Sequence, residues 1–161
     1  MGSFGVQRVM AAVMFASITI TWTRFHSTTY PYSILQPSSF RHTMLPNVNG
    51  MTIDYFFPSL GSFTTNVNVV ASPAKSLVNQ VAYFRSIDGT NVHRSGWLII
   101  MGKKRPLIQA DFGGLAGKRR LEQICFVANG TMWQLTASYD LKYRNLRRTM
   151  LRMLQSFRLD G

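Results

Sequence analysis

The stretch that decides the fold is Gln123-Ile-Cys-Phe-Val-Ala-Asn-Gly-Thr-Met-Trp-Gln-Leu-Thr-Ala137, in which two alternating runs flank Asn129-Gly130. Asn-Gly suits the two positive φ angles of a type I′ turn, so the stretch predicts a β-hairpin. The pairs that this register predicts are Phe126–Trp133, Ile124–Leu135 and Cys125–Gln134. One face of the hairpin is then apolar and the other mixed, which indicates an antiparallel sheet covered by a helix on one side.

Period-two alternation and turn residues predict further strands on both sides of this hairpin. They cover residues 30–35, 50–57, 66–70, 97–101 and 107–112. Ser72-Pro73 predicts the start of a helix, because Ser caps a helix and Pro has its φ fixed at the helical value. The apolar residues that follow at helical spacing are Ala74, Leu77, Val78, Val81 and Phe84. The predicted fold is therefore α+β, an antiparallel β-sheet flanked by helices.

A last helix is predicted over residues 141–157, because apolar residues recur there at the spacing of one helix face. The stripe predicted to be buried consists of Leu146, Met150, Met153, Leu154 and Phe157.

An uncharged apolar run extends from Val9 to Thr23, between Arg8 and Arg24. Counted from Phe4, the run reaches the length of about 20 residues that spans a bilayer, provided that Arg8 lifts its guanidinium to the headgroups. We therefore predict one N-terminal transmembrane helix over residues 4–23, with aromatic side chains at its end. The residues predicted to face the membrane or its interface are Arg8, Val9, Val13, Phe15, Ile18, Ile20, Trp22 and Phe25.

Two alternatives for this run stay open. One is a cleaved signal or organelle-targeting peptide, because no Asp or Glu precedes Asp54 and the lead is rich in Ser and Thr. The other is a buried or surface helix. With the anchor, the 161 residues divide into a membrane helix at 1–25, an extended proline-containing connector at 26–46 and one globular domain at 47–161.

The charge is strongly positive, with 18 Lys and Arg against 6 Asp and Glu and a net charge of +12. Such a balance predicts an anionic neighbour, which is an acidic protein surface, anionic lipid or nucleic acid. Three basic clusters, two predicted in loops and one as a row along the last helix, are the candidate partner-binding residues. They are Lys103, Lys104, Arg105, Lys118, Arg119, Arg120, Arg144, Arg148 and Arg152. A solvated face is the alternative, and the scarcity of interleaved aromatic residues disfavours a single-stranded nucleic-acid platform.

Catalytic, metal-binding and cofactor-binding residues are not predicted. His26, His42 and His93 lack the spaced partners that metal sites use, and Cys125 is the only cysteine. The few carboxylates are too dispersed for paired acid–base work. The loop at Gly113–Gly117 lacks the hydroxyl residue of a phosphate-binding loop. We therefore expect no enzyme activity and no cofactor.

The order of several motifs resembles the PsbP-like family, the accessory proteins of oxygenic photosystems and their bacterial relatives. The segments that carry the resemblance are Tyr32–Pro37, Asp54–Phe57, Thr65–Pro73 and Trp133–Ala137 through Ser156-Phe157. The resemblance covers roughly residues 30–159 and implies an α-β-α sandwich, the fold that the family shares with the Ran-binding Mog proteins. Metal-binding residues of some members find no match in this chain.

The resemblance also implies a function, which is that of a non-enzymatic, membrane-anchored accessory subunit. Such a subunit would dock on and stabilise a larger membrane complex, a photosystem or reaction centre first, from the periplasmic or thylakoid-lumen side. Its partners would be subunits of that complex and, through the N-terminal helix, membrane lipid. The main alternative is a basic nucleic-acid-binding or ribosome-associated protein with an organelle-targeting leader, and a third is a solute- or lipid-binding module that uses the sheet.

Overall fold

The computed structural model describes residues 19–48, 51–59, 64–73, 85–86, 90–113 and 118–161. The strands are β1 (Trp22–His26), β2 (Tyr32–Pro37), β3 (Phe40–Val48), β4 (Met51–Pro58), β5 (Asn66–Ser72), β6 (Thr90–Ile100), β7 (Lys103–Phe112), β8 (Arg119–Ala128), β9 (Thr131–Asp140) and β10 (Arg158–Leu159). A 3₁₀-helix (Leu141–Leu146) and the short C-terminal helix α1 (Arg147–Gln155) lie between β9 and β10.

The strands form two antiparallel sheets. The large sheet has seven strands in the order β3-β4-β5-β9-β8-β7-β6, and the small sheet has three in the order β1-β2-β10. Neighbouring strands run antiparallel throughout both sheets. The prediction of an α+β fold built on antiparallel sheet is thus confirmed. The helix predicted from Pro73 to Phe84 falls on residues 74–84, which lie outside the described residues.

The hairpin predicted around Asn129-Gly130 forms. Asn129 and Gly130 have φ angles of 51° and 73°, as a type I′ turn requires. The three predicted cross-strand pairs all occur in the β8–β9 register. The predicted apolar face of this hairpin is buried, and Trp133 is 1% exposed.

Replacing Gly130 by Val is expected to lower the free energy of unfolding by about 1–2 kcal/mol, because a β-branched residue is strained at positive φ. A Cβ at this position meets no heavy atom within 4 Å, so the backbone conformation alone causes the loss. Urea denaturation measures the change. Gly130→Asn is the matched control and should cost less, since Asn tolerates this conformation. Equal losses in the two variants would contradict the explanation.

The main core lies between one face of the large sheet and a layer formed by the small sheet and α1. Trp133 is at its centre, with its ring 5.5 Å from that of Tyr32 on β2 and 5.1 Å from that of Phe157 after α1. The predicted stripe of the last helix faces this core: Met150, Met153, Leu154 and Phe157 are buried, and Leu146 is half-buried. The continuous helix predicted over 141–157 is wrong, because residues 141–146 form a 3₁₀-helix with a kink at Tyr143.

The C-terminal end of the predicted membrane helix is a strand. Trp22 and Phe25 lie on β1, which pairs with β2, and both pack against the main core instead of a membrane interface. The ring of Phe25 stands edge-on to that of Phe56 at 5.0 Å. The prediction is therefore wrong for residues 22–25, because pairing with β2 satisfies their backbone and the core takes up both rings. Ile20 precedes β1 and is 45% exposed.

The predicted membrane-facing residues that precede Ile20 are Arg8, Val9, Val13, Phe15 and Ile18, and they lie outside the described residues. None of the helices that the structure describes is both long enough and apolar enough to cross a bilayer.

The predicted connector at 26–46 is extended but belongs to the folded unit. It contains β2 and most of β3, and Tyr32, Ile34 and Phe40 are buried in the main core. Pro46 is accommodated because β3 is the outer strand of its sheet and its register shifts between Leu45 and Val48. β2 and β3 therefore pack in the same core as the strands that follow, and the predicted boundary at residue 47 falls inside this core.

Candidate partner-binding surface

Two of the three basic clusters lie on strands, although the sequence predicted loops. Lys103–Arg105 begin β7, and Arg119 and Arg120 begin β8, directly after Lys118. The reason is the short turn before β7: Met101 and Gly102 alone reverse the chain, with φ angles of 52° and 74°, so the strand starts at once.

Two cations of these clusters form ion pairs with acidic side chains on the neighbouring strands. Arg120 binds Asp111 on the neighbouring strand, with Nε 2.7 Å from Oδ1 and Nη2 2.9 Å from Oδ2. This bidentate hydrogen bond lowers the pKa of the Asp111 carboxyl. Arg119 lies farther from its partner, with Nε 3.9 Å from Oδ1 of Asp140.

Three further cations lie over aromatic rings, and one of them is Lys104, whose Nζ is 5.1 Å from the centre of the Trp97 ring. The guanidinium carbon of Arg105 is 3.9 Å from the centre of the Phe126 ring, and that of Arg152 is 4.5 Å from the centre of the Trp22 ring. Both contacts hold separate parts of the chain together, β7 to β8 and α1 to β1. These arginines therefore have a structural role before any partner arrives.

Five of the predicted cations remain exposed and make no ion pair with the described part of the chain. They are Lys103, Lys104, Lys118, Arg144 and Arg148. Arg148 lies on α1 one turn before Arg152, whereas Arg144 belongs to the 3₁₀-helix. Of the three arginines in the predicted row, only Arg148 and Arg152 therefore lie on α1.

All five carboxylates among the described residues already have partners within the chain. The pairs are Asp54 with Tyr32 and His42, Asp111 with Arg120, Glu122 with Arg147, Asp140 with Arg119, and Asp160 with His26. Asp54 and Glu122 are 2% and 0% exposed. Consequently the exposed cations are not balanced by free acidic side chains in the described part of the surface.

Glu122 forms a buried polar cluster that the sequence did not reveal. Arg147 donates to it from Nη2 at 2.7 Å and from Nε at 2.9 Å, and the Tyr139 hydroxyl donates at 3.0 Å. The cluster fixes the start of α1 to the sheet. The one feature of the sequence that could have indicated the cluster is that Glu122 lies two residues before Ile124 on β8 and therefore faces the same side of the strand.

Tyr139 gives this cluster a measurable pH dependence. Burial, and then the neighbouring Glu122 charge, raise the Tyr139 pKa from 10.0 to about 12. Because the folded pKa is the higher one, the contribution to stability is present below pH 10 and is lost as the pH rises toward 12. We expect the free energy of unfolding to fall by the order of 2 kcal/mol across this range. Denaturant titrations should show a smaller fall for Tyr139→Phe, and an unchanged fall would contradict the assignment.

Asp54 is the centre of a second buried cluster that joins the two sheets. The Tyr32 hydroxyl donates to Oδ2 at 2.6 Å, and Nε2 of His42 lies 2.6 Å from Oδ1. Burial, reinforced by the Asp54 charge, raises the Tyr32 pKa well above its usual range. Ser27 donates to the same carboxylate at 3.5 Å. Because these protein groups surround a carboxylate that is 2% exposed, the cluster is structural.

Two histidines in the part of the chain that the structure describes pair with carboxylates. No group of three His, Cys, Asp or Glu side chains lies close enough there to hold an ion. His26 pairs with Asp160 at 2.9 Å near the C-terminus, and His42 belongs to the Asp54 cluster.

Solved structures share this architecture. The solution structure of cyanobacterial PsbP (CyanoP) from Synechocystis superposes with a TM-score of 0.57 at 13% identity and covers 98% of each chain. LpqN of Mycobacterium tuberculosis, involved in cell envelope biogenesis, gives 0.55 at 13% identity over 88% of this chain and 92% of LpqN. The chain has a PsbP-like fold.

A third similar structure, from Bacteroides thetaiotaomicron, is that of a longer protein. Its TM-score is 0.51 at 10% identity, and the match covers 86% of this chain and 48% of the other. No protein-family model and no curated protein matches the sequence. The PsbP-like likeness predicted from the order of the motifs is confirmed, and at this level of identity it concerns the fold alone.

Proposed function

We propose that this PsbP-like protein is a non-enzymatic accessory protein that docks on acidic subunits of a larger membrane complex. The observation that carries the proposal is the charge pairing. Each described carboxylate is engaged within the chain, while exposed cations remain on the α1 side at Lys118, Arg144 and Arg148. Such a surface attracts an anionic partner and resists self-association.

A photosynthetic complex is the first candidate for the partner, and this choice rests on the motif resemblance. With such a partner, the domain would lie on the periplasmic or thylakoid-lumen side of the membrane. Attachment to the membrane would come from the apolar residues that precede β1. Carbonate washing of native membranes tests this part: a retained full-length chain supports the anchor, and a chain released into the wash contradicts it.

A second helical layer, which would complete the α-β-α sandwich, also remains a proposal. The predicted helix after Ser72-Pro73 would supply it. The large-sheet face away from α1 is buried at Thr136 and Met132, which are 2% and 6% exposed. Successive side chains of β9 point to opposite faces of the sheet, so Thr136 and Met132 face away from the main core. Their burial supports a covering layer on that face.

The docking proposal is tested by purifying the full-length protein from its own membranes and identifying what co-migrates. We expect the double variant Arg144→Glu/Arg148→Glu to reduce co-migrating subunits about tenfold, because charge reversal adds repulsion to the lost attraction. Arg152 is left intact, since it contacts Trp22.

The matched control is Arg41→Glu/Arg85→Glu, which makes the same change of charge at two exposed residues on β3 and before β6. Thermal unfolding of both variants checks the fold. Full co-migration in the α1-side variant, or an equal loss in the control, would contradict docking through this surface.

The nucleic-acid alternative is distinguished by its salt dependence. Binding of RNA whose affinity falls steeply with salt would favour a ribosome-associated role, because each neutralised phosphate releases counterions. We expect RNA affinity to remain in the non-specific range.

A further inference from the structure

A second cationic surface lies on the large-sheet face away from α1, at the outer strand β6. Trp97 and Ile99 are 47% and 61% exposed there, whereas the next residue, Ile100, is fully buried in the main core. The register sets Ile99 opposite Lys104 on β7. We call Arg94, Trp97, Ile99 and Lys104 the β6 patch.

The Trp97 ring is flanked by both cations of the β6 patch. The guanidinium carbon of Arg94 lies 4.9 Å from the ring centre, and Nζ of Lys104 lies 5.1 Å from it. A long cationic side chain in such a contact lays its methylene groups along apolar surface and keeps its charge in water. The patch therefore combines an exposed aromatic ring, an exposed aliphatic side chain and two charges within a few ångströms.

Among the described residues, the β6 patch lies in a stretch of sequence that carries no acidic side chain. Between Thr90 and Ala110 the chain has four cations and no Asp or Glu. On the same sheet face Asp140 pairs with Arg119, which begins β8 at the end away from the β8–β9 turn. The local potential is therefore positive, and an occupant of this patch has to be anionic and partly apolar.

We propose that the β6 patch is a membrane-contact surface that lies on a bilayer containing anionic lipid. Trp is enriched at the boundary between headgroups and acyl chains, since its ring is apolar and its N–H is polar. Ile99 would enter the same layer, and Arg94 and Lys104 would meet lipid phosphates. Apolar burial and attraction to anionic headgroups together determine the strength of such contacts.

A lipid surface fits the β6 patch better than an acidic protein does. At protein interfaces the central aromatic anchor fills a pocket and becomes fully desolvated. Here Trp97 is a half-exposed group on a strand face, and two cations already lie over its ring. A bilayer accommodates this shape without a matching pocket, and its phosphates reach both charges at once.

The β6 patch and the proposed docking surface are independent. Arg144 and Arg148 lie on the α1 side of the large sheet, and the patch lies on the other face. Loss of one contact therefore leaves the other in place, so each proposal can fail by itself.

The test uses the full-length protein and vesicles of phosphatidylglycerol with brominated phosphatidylcholine. Bromine quenches tryptophan only near the acyl chains, and the signal of Trp97 is the difference between wild type and Trp97→Phe. This local signal does not depend on membrane binding by other segments. We expect quenching of Trp97 that disappears in vesicles of phosphatidylcholine alone and weakens as salt rises.

The variant Arg94→Glu/Lys104→Glu should reduce the quenching of Trp97 at least about fivefold at equal lipid concentration. The control Arg144→Glu/Arg148→Glu carries the same change of charge and should keep the wild-type value within about twofold. If the patch variant does not fold, the salt dependence of quenching in the wild type replaces it.

Three outcomes would overturn the proposal. They are no quenching of Trp97, equal quenching with neutral vesicles, and loss of quenching in the control variant to the same degree. Unquenched Trp97 together with loss of co-migrating subunits in the patch variant would assign the patch to an acidic protein instead.

Discussion

A chain that begins at residue 47 is expected not to fold, whereas one that begins at residue 19 is expected to unfold in a single cooperative transition. The shorter chain lacks β1, β2 and most of β3 and with them Tyr32, Ile34 and Phe40 of the main core. Each such side chain contributes about 1.5–3 kcal/mol by burial, against a total stability of about 5–15 kcal/mol for a domain.

The loss extends beyond these three residues. Removing β2 uncovers Trp133 and Phe157, which contact Tyr32 in the centre of the core. Removing β2 together with residues 40–46 of β3 also leaves the Asp54 carboxylate without its Tyr32 and His42 partners. A buried carboxylate without partners is strongly destabilising.

Far-ultraviolet circular dichroism and thermal melts of the two truncated chains measure this difference. The chain from residue 19 is the control, because it keeps β1 and removes only residues that precede it. A cooperative transition for the chain from residue 47 would contradict the structure and would restore the boundary predicted from the sequence.

The error at this boundary has a physical origin. Pro31, Pro37 and Pro46 are local signals against a regular element, and local signals predicted an open connector. The structure places Pro37 at the end of β2 and Pro46 at a register shift in the outer strand β3, where a missing N–H is tolerated. β2 and β3 form because they pair with β1 and β4, and a local sequence pattern does not predict this pairing.

The β8–β9 hairpin could be predicted residue by residue because its determinants are local. Two residues at the turn select the turn type, the turn sets the register, and the register places Phe126 beside Trp133. The stripe on α1 was predictable for the same reason, since its period lies within one element.

The state of the basic residues could not be predicted, because it depends on distant partners. Arg120 meets Asp111 only through the β7–β8 register, and Arg152 meets Trp22 across nearly the whole chain. Charge counts gave all nine candidates equal weight. The fold separates four arginines that contact acidic or aromatic side chains of other elements from five cations that are exposed and make no ion pair with the described residues. It also adds Arg94, which lies with Lys104 beside Trp97, to the candidate surfaces.

The second large effect is expected for Arg147→Met, which should lower the free energy of unfolding by about 3 kcal/mol. The variant leaves the Glu122 carboxylate, which is 0% exposed, with Tyr139 as its remaining donor. The Arg147 side chain is 43% exposed, so water can reach part of the vacated space. For this reason we place the loss at the lower end of the range for a broken buried pair.

Arg148→Met is the matched control, since it removes the next cation along α1, which is exposed and makes no ion pair with the described residues. Its effect should stay within about 0.5 kcal/mol. Adding Glu122→Met to Arg147→Met should recover much of the lost stability, because the cost arises from the stranded charge and an apolar pair removes it. If urea denaturation gives equal losses for Arg147→Met and Arg148→Met, or no recovery in the double variant, the pair does not hold α1 to the sheet.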